Sequence, residues 1–256
     1  MRPQAVALDL DGVVWRASMP IPGAAEAVAA LRAAGVPVVF VTNNAGPCIA
    51  DHEVKLADLG IPASGAVLTS PMAAAGLLHA GERVLVAGGA GIVEAVERAG
   101  ATVVTYEDAD GGAPVDAVVV GFHRDFDWER LRIASTAVRD GARFIATNTD
   151  ATFPTETGLV PGAGSIVAAV ATAAGVGPTI AGKPHPPMAA LLVERCGADG
   201  IVVGDRADTD GALARACGWD FGLVLTGVTA ADDLPTDPVA DVVADDLSAL
   251  VEQLLQ

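Results

Sequence analysis

Ala5-Val-Ala-Leu8 runs straight into Asp9-Leu10-Asp11-Gly12, and this junction of an apolar run with a polar cluster decides the fold. Three more junctions of the same kind follow. Val38–Val41 leads to Thr42-Asn43-Asn44, Thr179–Ala181 to Gly182-Lys183-Pro184, and Ile201–Val203 to Gly204-Asp205, with Asp208 and Asp210 just beyond. Each apolar run reads as a parallel strand buried on both faces, because such strands are continuously apolar rather than alternating. In an open α/β sheet, ligands bind beyond the carboxyl ends of the strands. The four clusters are therefore expected to meet at one sheet edge. They bring two aspartates, a hydroxyl with amides, a lysine and an acidic group, which together suit a metal ion and a phosphate.

Composition narrows the partners. Of 256 residues, 52% are hydrophobic, enough to bury a sizeable core, and the net charge is −17. Nucleic-acid binding needs clustered Lys and Arg, and the fifteen basic residues here are spread thinly. The acidity itself is read as solubility. Cys48, Cys196 and Cys217 form no CxxC pair, which points to a reducing cytoplasm. The N-terminus lacks the cationic and apolar segments of a signal peptide. The uncharged stretch 157–182 is long enough to cross a bilayer, but it is broken by Gly158, Pro161, Gly162, Gly164, Gly175, Gly177 and Pro178. Its helix, Ser165–Ala174, is shorter than the roughly 20 residues a membrane span needs.

Periodicity supplies the organisation. A helix at Gly23–Ala34, with Ala24, Val28 and Leu31 at helical spacing, is followed by the strand Val36–Val41, a βαβ unit with a right-handed crossover. The interval from Thr42 to Lys183 is far longer than a single crossover. Within it a second α/β pattern begins at Val84–Ala87 and continues through Val115–Gly121, Trp128–Asp140 and Arg143–Ala146. This is enough for a domain of about 100 residues. The expected architecture is a doubly wound, mainly parallel Rossmann-like core sheet (1–79 and 179–256) carrying an inserted α/β domain (80–178).

Each cluster also has a plainer reading. Asp9 and Asp11 point to the same side of an extended backbone, where repulsion raises one pKa unless a cation intervenes, and oxygen ligands suit Mg2+. The plainer reading is a polar turn. Asp205 and Asp210, with Asp208 between, either close a metal site or mark an acidic helix N-terminus, a reading that suits Asp208. Lys183 is either a phosphate-binding point charge or a solvated lysine. Thr42 and Asn43 either bind phosphoryl oxygens or cap the next helix. Gly88-Gly-Ala-Gly91 after a strand hints at dinucleotide binding, but the third glycine of that fingerprint falls on Glu94.

Taken together, Asp9-Leu-Asp11-Gly12, Val-Thr42-Asn43-Asn44, Gly182-Lys183-Pro184 and Gly204-Asp205-Arg-Ala-Asp208-Thr-Asp210 resemble the four motifs of the haloacid dehalogenase superfamily. The likeness is to the subgroup that holds NagD, phosphoglycolate phosphatase, glycerol-phosphate phosphatase and pyridoxal phosphatase. Thr147-Asn148-Thr-Asp150-Ala-Thr-Phe153-Pro154 and Pro161-Gly-Ala-Gly164 look like the subgroup's cap. Val13 and Gly211 depart from the commonest pattern. The resemblance implies a phosphatase acting on a small-molecule phosphate ester. Asp9 is then the nucleophile and Asp11 the acid and base. Mg2+ is held by the Asp9 carboxylate, the Asp11 carbonyl and Asp205, with Asp210 behind them. Thr42, Asn43, Asn44 and Lys183 bind the phosphoryl group, Phe153 contacts the leaving group, and the cap offers a homodimer interface. The alternatives are a phosphomutase of the same superfamily and a catalytically silent phosphate-binding protein.

Overall fold

In the computed structural model, which describes residues 2–17, 19–155 and 158–256, the first apolar run is a central strand. The chain opens with β1 (Val6–Leu8), a small hairpin of β2 (Trp15–Arg16) and β3 (Met19–Pro20), α1 (Ala24–Ala33), β4 (Val38–Thr42), α2 (Ile49–Asp58) and β5 (Val67–Thr69). There follow α3 (Ser70–Ala75), β6 (Arg83–Ala87), α4 (Ala90–Arg98), β7 (Thr102–Val104), α5 (Tyr106–Asp110), β8 (Ala117–Val120), α6 (Trp128–Arg139), β9 (Arg143–Ala146), a hairpin of β10 (Thr152–Thr155) and β11 (Gly158–Pro161), α7 (Ala163–Ala174) and β12 (Thr179–Ile180). The chain closes with α8 (Pro186–Cys196), β13 (Ile201–Gly204), α9 (Ala212–Cys217), β14 (Asp220–Val224), β15 (Val242–Ala244) and α10 (Leu247–Leu255).

Two compact units result. The first comprises 1–42, 50–68 and 183–256, and the second comprises 43–49 and 69–182. The second therefore takes in more chain than the 80–178 expected from periodicity. Its extra part is held by its own bonds: Gly91 N–H donates to Gly46 O at 3.1 Å and Ile49 N–H to the Glu94 carboxylate at 2.8 Å.

The first unit is built on a six-stranded sheet in the order β15-β14-β13-β1-β4-β5. Parallel pairing sets Leu8 opposite both Val203 and Phe40. The carboxyl ends of β1, β4 and β13 thus lie side by side, with Asp9, Thr42 and Asp205 along one edge. All three residues of β1 are buried, which explains why its sequence shows no alternation. Helix α1 buries Ala24, Ala27, Val28 and Leu31, a stripe at helical period, and packs with α10. Asp246 caps α10, accepting from Ala249 N–H at 2.8 Å.

The second unit has a five-stranded parallel sheet in the order β12-β9-β8-β6-β7, covered in part by α6 and α7 around Val118, Val120, Phe144 and Val170. This corrects the expectation for Thr179–Ala181. That run does not join the core sheet: Thr179 pairs with Ile145 and Ile180 with Ala146, so β12 is an edge strand of the second sheet. A strand this short and apolar carries no local mark of which sheet accepts it. Among the described residues, no helix is long and apolar enough to cross a membrane.

Candidate active site

The site of the first unit grows from the ends of β1 and β13. Past β1, Asp9 extends the sheet by donating its N–H to Val203 O at 2.9 Å. Its carboxylate Oδ1 accepts from Leu10 N–H at 2.8 Å and pairs with Lys183 Nζ at 2.7 Å. The chain then turns at Gly12, whose φ of 83° lies in the left-handed region. Space imposes glycine here as well, since a Cβ would stand 2.5 Å from Asp205 Oδ2.

Past β13, Asp205 is buried. A turn at 226–229 wraps it. Val228 N–H donates to Asp205 Oδ2 at 2.6 Å, Thr229 Oγ1 donates to Asp205 O at 2.6 Å, and Thr226 Oγ1 donates to Gly12 O at 2.5 Å. A Cβ on Gly227 would overlap the Asp205 carboxylate outright. Residues Ala207–Gly211 then form a π-helical turn, a geometry common at functional sites. It buries Asp210 completely, with Oδ1 on Lys183 Nζ at 2.7 Å and Oδ2 accepting from Arg206 N–H at 3.2 Å. The same turn leaves Asp208 outside. Asp208 makes an exposed two-point pair with Arg206 at 3.0 and 2.6 Å, so it does not close the site. Gly211, unusual at sequence level, is explained by packing: a Cβ would meet the Phe221 ring at 2.8 Å.

One carboxylate oxygen each from Asp9, Asp205 and Asp210 lies within 4.8 Å of the others. Such an all-oxygen set suits a hard divalent cation. The electrostatics agree. Burial, opposed by Lys183, raises the Asp9 carboxyl to about 6, with Asp205 and Asp11 adding repulsion. Burial and Asp210 raise Asp205 to about 6 against the Val228 N–H bond. Burial raises Asp210 to about 7 against Lys183. Burial disfavours the Lys183 ammonium, yet Asp210 and Asp9 outweigh that and hold it charged, above the usual lysine value. One cation among three crowded carboxylates leaves charge that a metal would balance.

Asp11 faces other partners. Its Oδ1 accepts from Trp15 Nε1–H at 2.9 Å, and Lys55 of α2 lies over the Trp15 ring. Burial raises Asp11, while Lys55, the indole bond and Lys183 oppose the rise. Trp15 and Lys55 escaped the sequence reading. Trp15 lies on the two-residue strand β2, too short to leave a pattern, and Lys55 comes from a helix forty residues on.

Thr42 is buried at the end of β4. Asn43, Asn44 and Phe153 belong to the second unit. Asn43 Nδ2 donates to the Asp150 carboxylate at 3.2 and 3.4 Å, and Asn43 O accepts from Ser70 Oγ and Asn148 Nδ2, each at 2.8 Å. Asn44 Oδ1 accepts from Gly46 N–H at 3.2 Å. Gly182 owes its identity to this cluster, because a Cβ there would stand 2.5 Å from Asn43 Oδ1. Phe153 meets Phe122 edge-on with ring centroids 5.0 Å apart. Gly88-Gly-Ala-Gly91 serves packing: Cβ atoms on Gly89 and Gly91 would collide with the backbone at Gly46 and Pro47.

The family model for haloacid dehalogenase-like hydrolases matches residues 6–102, and a second model of such hydrolases matches 180–250. A 5'-nucleotidase of Bacillus subtilis is 36% identical over 237 residues, covering 90% of each chain. The chain belongs to the haloacid dehalogenase-like hydrolases. Another of these hydrolases, the D-glycerol 3-phosphate phosphatase of Mycobacterium tuberculosis, is 40% identical over 240 residues, which are 91% of this chain and 66% of that protein. Thus the chain spans just under two thirds of the length of that relative. The crystal structure of glycerol phosphate phosphatase from Mycobacterium tuberculosis in complex with magnesium superposes with a TM-score of 0.88 at 36% identity, covering 98% of this chain and 79% of that one.

Proposed function

We propose that this chain is a Mg2+-dependent phosphatase that hydrolyses small phosphomonoesters through a phosphoryl-aspartate on Asp9. The observation that carries the reading is the Lys183 ammonium, held 2.7 Å from Asp9 Oδ1 among buried carboxylates at the carboxyl edge of the core sheet. A dianionic phosphate cannot approach a carboxylate unless its charge is neutralised, and phosphoryl transfer depends mainly on positioning and charge neutralisation. Asp9 and Asp205, with the Asp11 carbonyl, would hold Mg2+, and Asp210 would anchor Lys183 behind them. The metal supplies charge neutralisation and Lewis acidity at the phosphoryl oxygens.

The residues do the rest. An Asp9 carboxylate oxygen forms a bond to phosphorus as the ester P–O bond breaks, its electron pair remaining on the departing oxygen. Asp11 gives that oxygen its proton. The Asp11 carboxylate then takes a proton from a water that attacks phosphorus, which releases inorganic phosphate and restores Asp9. This is covalent catalysis in two easier steps. Lys183 and Thr42, with Asn43 and Asn44, are assigned to the phosphoryl oxygens. The second unit is assigned the choice of leaving group, as the cap, with Phe153 as its apolar contact.

The substrates in view are phosphoglycolate, glycerol phosphate, pyridoxal phosphate, a nucleoside monophosphate and p-nitrophenyl phosphate. The relatives' names as glycerol phosphatase and nucleotidase support this range. The net charge of −17 argues against nucleic acid as partner. A reducing cytoplasm fits three free cysteines, and a homodimer through the second unit fits its exposed Trp128 and Leu159. Phosphate release from that panel, with and without Mg2+, is the test. Free phosphate should accumulate only with Mg2+, and Asp9→Asn should release none while keeping the wild-type circular dichroism. Phosphoryl transfer without free phosphate would make the protein a mutase, and no turnover of any ester would make it a silent binder.

A further inference from the structure

Asp11 is the one carboxylate of the site with an indole for a partner. Trp15 is buried, and its Nε1–H reaches Asp11 Oδ1 at 2.9 Å. Lys55 braces the ring from its face, with Nζ 3.7 Å from the ring centroid, and is itself steered by donating to Ala17 O at 3.3 Å. An indole nitrogen can only donate. Asp11 Oδ1 is therefore an acceptor in every state of the carboxyl group, and a proton on Asp11 must reside on Oδ2. A cation on the ring face draws electron density from the indole and makes its N–H a stronger donor.

We propose that Trp15, braced by Lys55, is the positioning residue that commits Asp11 Oδ2 to proton exchange with the leaving alcohol. The proposal rests on the phosphatase reading above. In the first step the ester P–O bond breaks as the Asp9–phosphorus bond forms. The freed electron pair on the ester oxygen takes the Oδ2 proton, and Asp11 is left as a carboxylate. Its Oδ1 keeps the indole bond throughout, and that bond strengthens as charge develops. The carboxyl group therefore need not rotate between giving up its proton and receiving one from water.

The test compares kcat/KM for two esters under saturating Mg2+: the best alkyl phosphate of the panel and p-nitrophenyl phosphate. This parameter reports only steps through release of the alcohol, and p-nitrophenolate leaves without a proton. Trp15→Phe keeps the ring and the cation stack but removes the N–H. It should lower kcat/KM for the alkyl ester about 10- to 100-fold, the rate equivalent of one hydrogen bond to a charged group. For p-nitrophenyl phosphate the loss should stay below about twofold. Lys55→Met, at a half-buried position, removes the brace and should show the same selectivity for the alkyl ester. A merely structural role would lower both esters alike. Equal losses, or none, in Lys55→Met and in any folded Trp15→Phe overturn the proposal. If the wild-type protein hydrolyses neither ester, the phosphatase reading falls first and the proposal falls with it.

Discussion

Replacing Lys183 by Met removes one charge from between two buried carboxylates. The ammonium is 2.7 Å from both Asp9 Oδ1 and Asp210 Oδ1. At an effective dielectric constant near 20, each contact is worth about 6 kcal/mol before desolvation. Desolvating the lysine cancels much of this. Removing one partner of a buried pair nevertheless costs about 3–5 kcal/mol, because the orphaned charge stays buried. That is a large share of the roughly 5–15 kcal/mol by which a domain is stable. The deficit should depend on pH with a definite sign. Asp9 and Asp210 already titrate at about 6 and about 7, above the ordinary value of 3.8, with Lys183 holding them down. Without it they rise further, so the folded variant binds more protons than the unfolded chain. Its stability must then fall as pH rises through that window and recover as pH falls. Urea denaturation in EDTA, followed by circular dichroism at pH 7 and pH 5, measures both values. Carboxylates elsewhere contribute equally to the two proteins and cancel. A deficit below about 1 kcal/mol at pH 7, or one that does not shrink at pH 5, would refute the reasoning.

Two further outcomes concern the metal. Gly227→Ala forces a Cβ into the Asp205 carboxylate, so Mg2+ affinity measured by calorimetry should weaken about 10–100-fold, the usual cost of disturbing a ligand's support, while far-ultraviolet circular dichroism stays as in wild type. Unchanged affinity would show that Asp205 is not a ligand. In the wild-type protein, protons compete with the metal for Asp9 and Asp205, both titrating at about 6, so affinity should fall more than about tenfold between pH 8 and pH 5.5. A flat profile would count against a carboxylate site.

Much of this site was legible because buried parallel strands announce themselves as unbroken apolar runs and their ends are where ligands gather. Val6–Leu8 and Ile201–Gly204 are of that kind, and Asp9 and Asp205 follow them directly. Lys183 was legible as a residue but not in its route, because Thr179–Ile180 pairs with the second sheet and the lysine arrives just past its edge strand. Spacing alone did not separate Asp208 from Asp210, although the resemblance gave a place behind the metal to Asp210 and none to Asp208. A π-helical turn changes the residues per turn, so spacing counted from Asp205 does not reveal which carboxylate turns inward. The hairpin of β10 and β11 was missed because Pro154 and Gly158 argue against a strand. Trp15 and Lys55 meet only in three dimensions, and no local pattern marks either.

The division of the chain also orders events during synthesis. When a ribosome has made residues 1–182, the second unit is complete, but the first has only one flank of its sheet. Strand β1 at that stage lacks β13, its neighbour on the other side. Asp9 has neither its counter-cation nor Asp205 and Asp210. Domains fold as units as they emerge. The inserted unit should therefore acquire structure first, while the amino-terminal strands wait for the last seventy-odd residues. Lys183 opens the stretch that completes the first unit, so Asp9 stays without its counter-cation until the chain re-enters the fold it began.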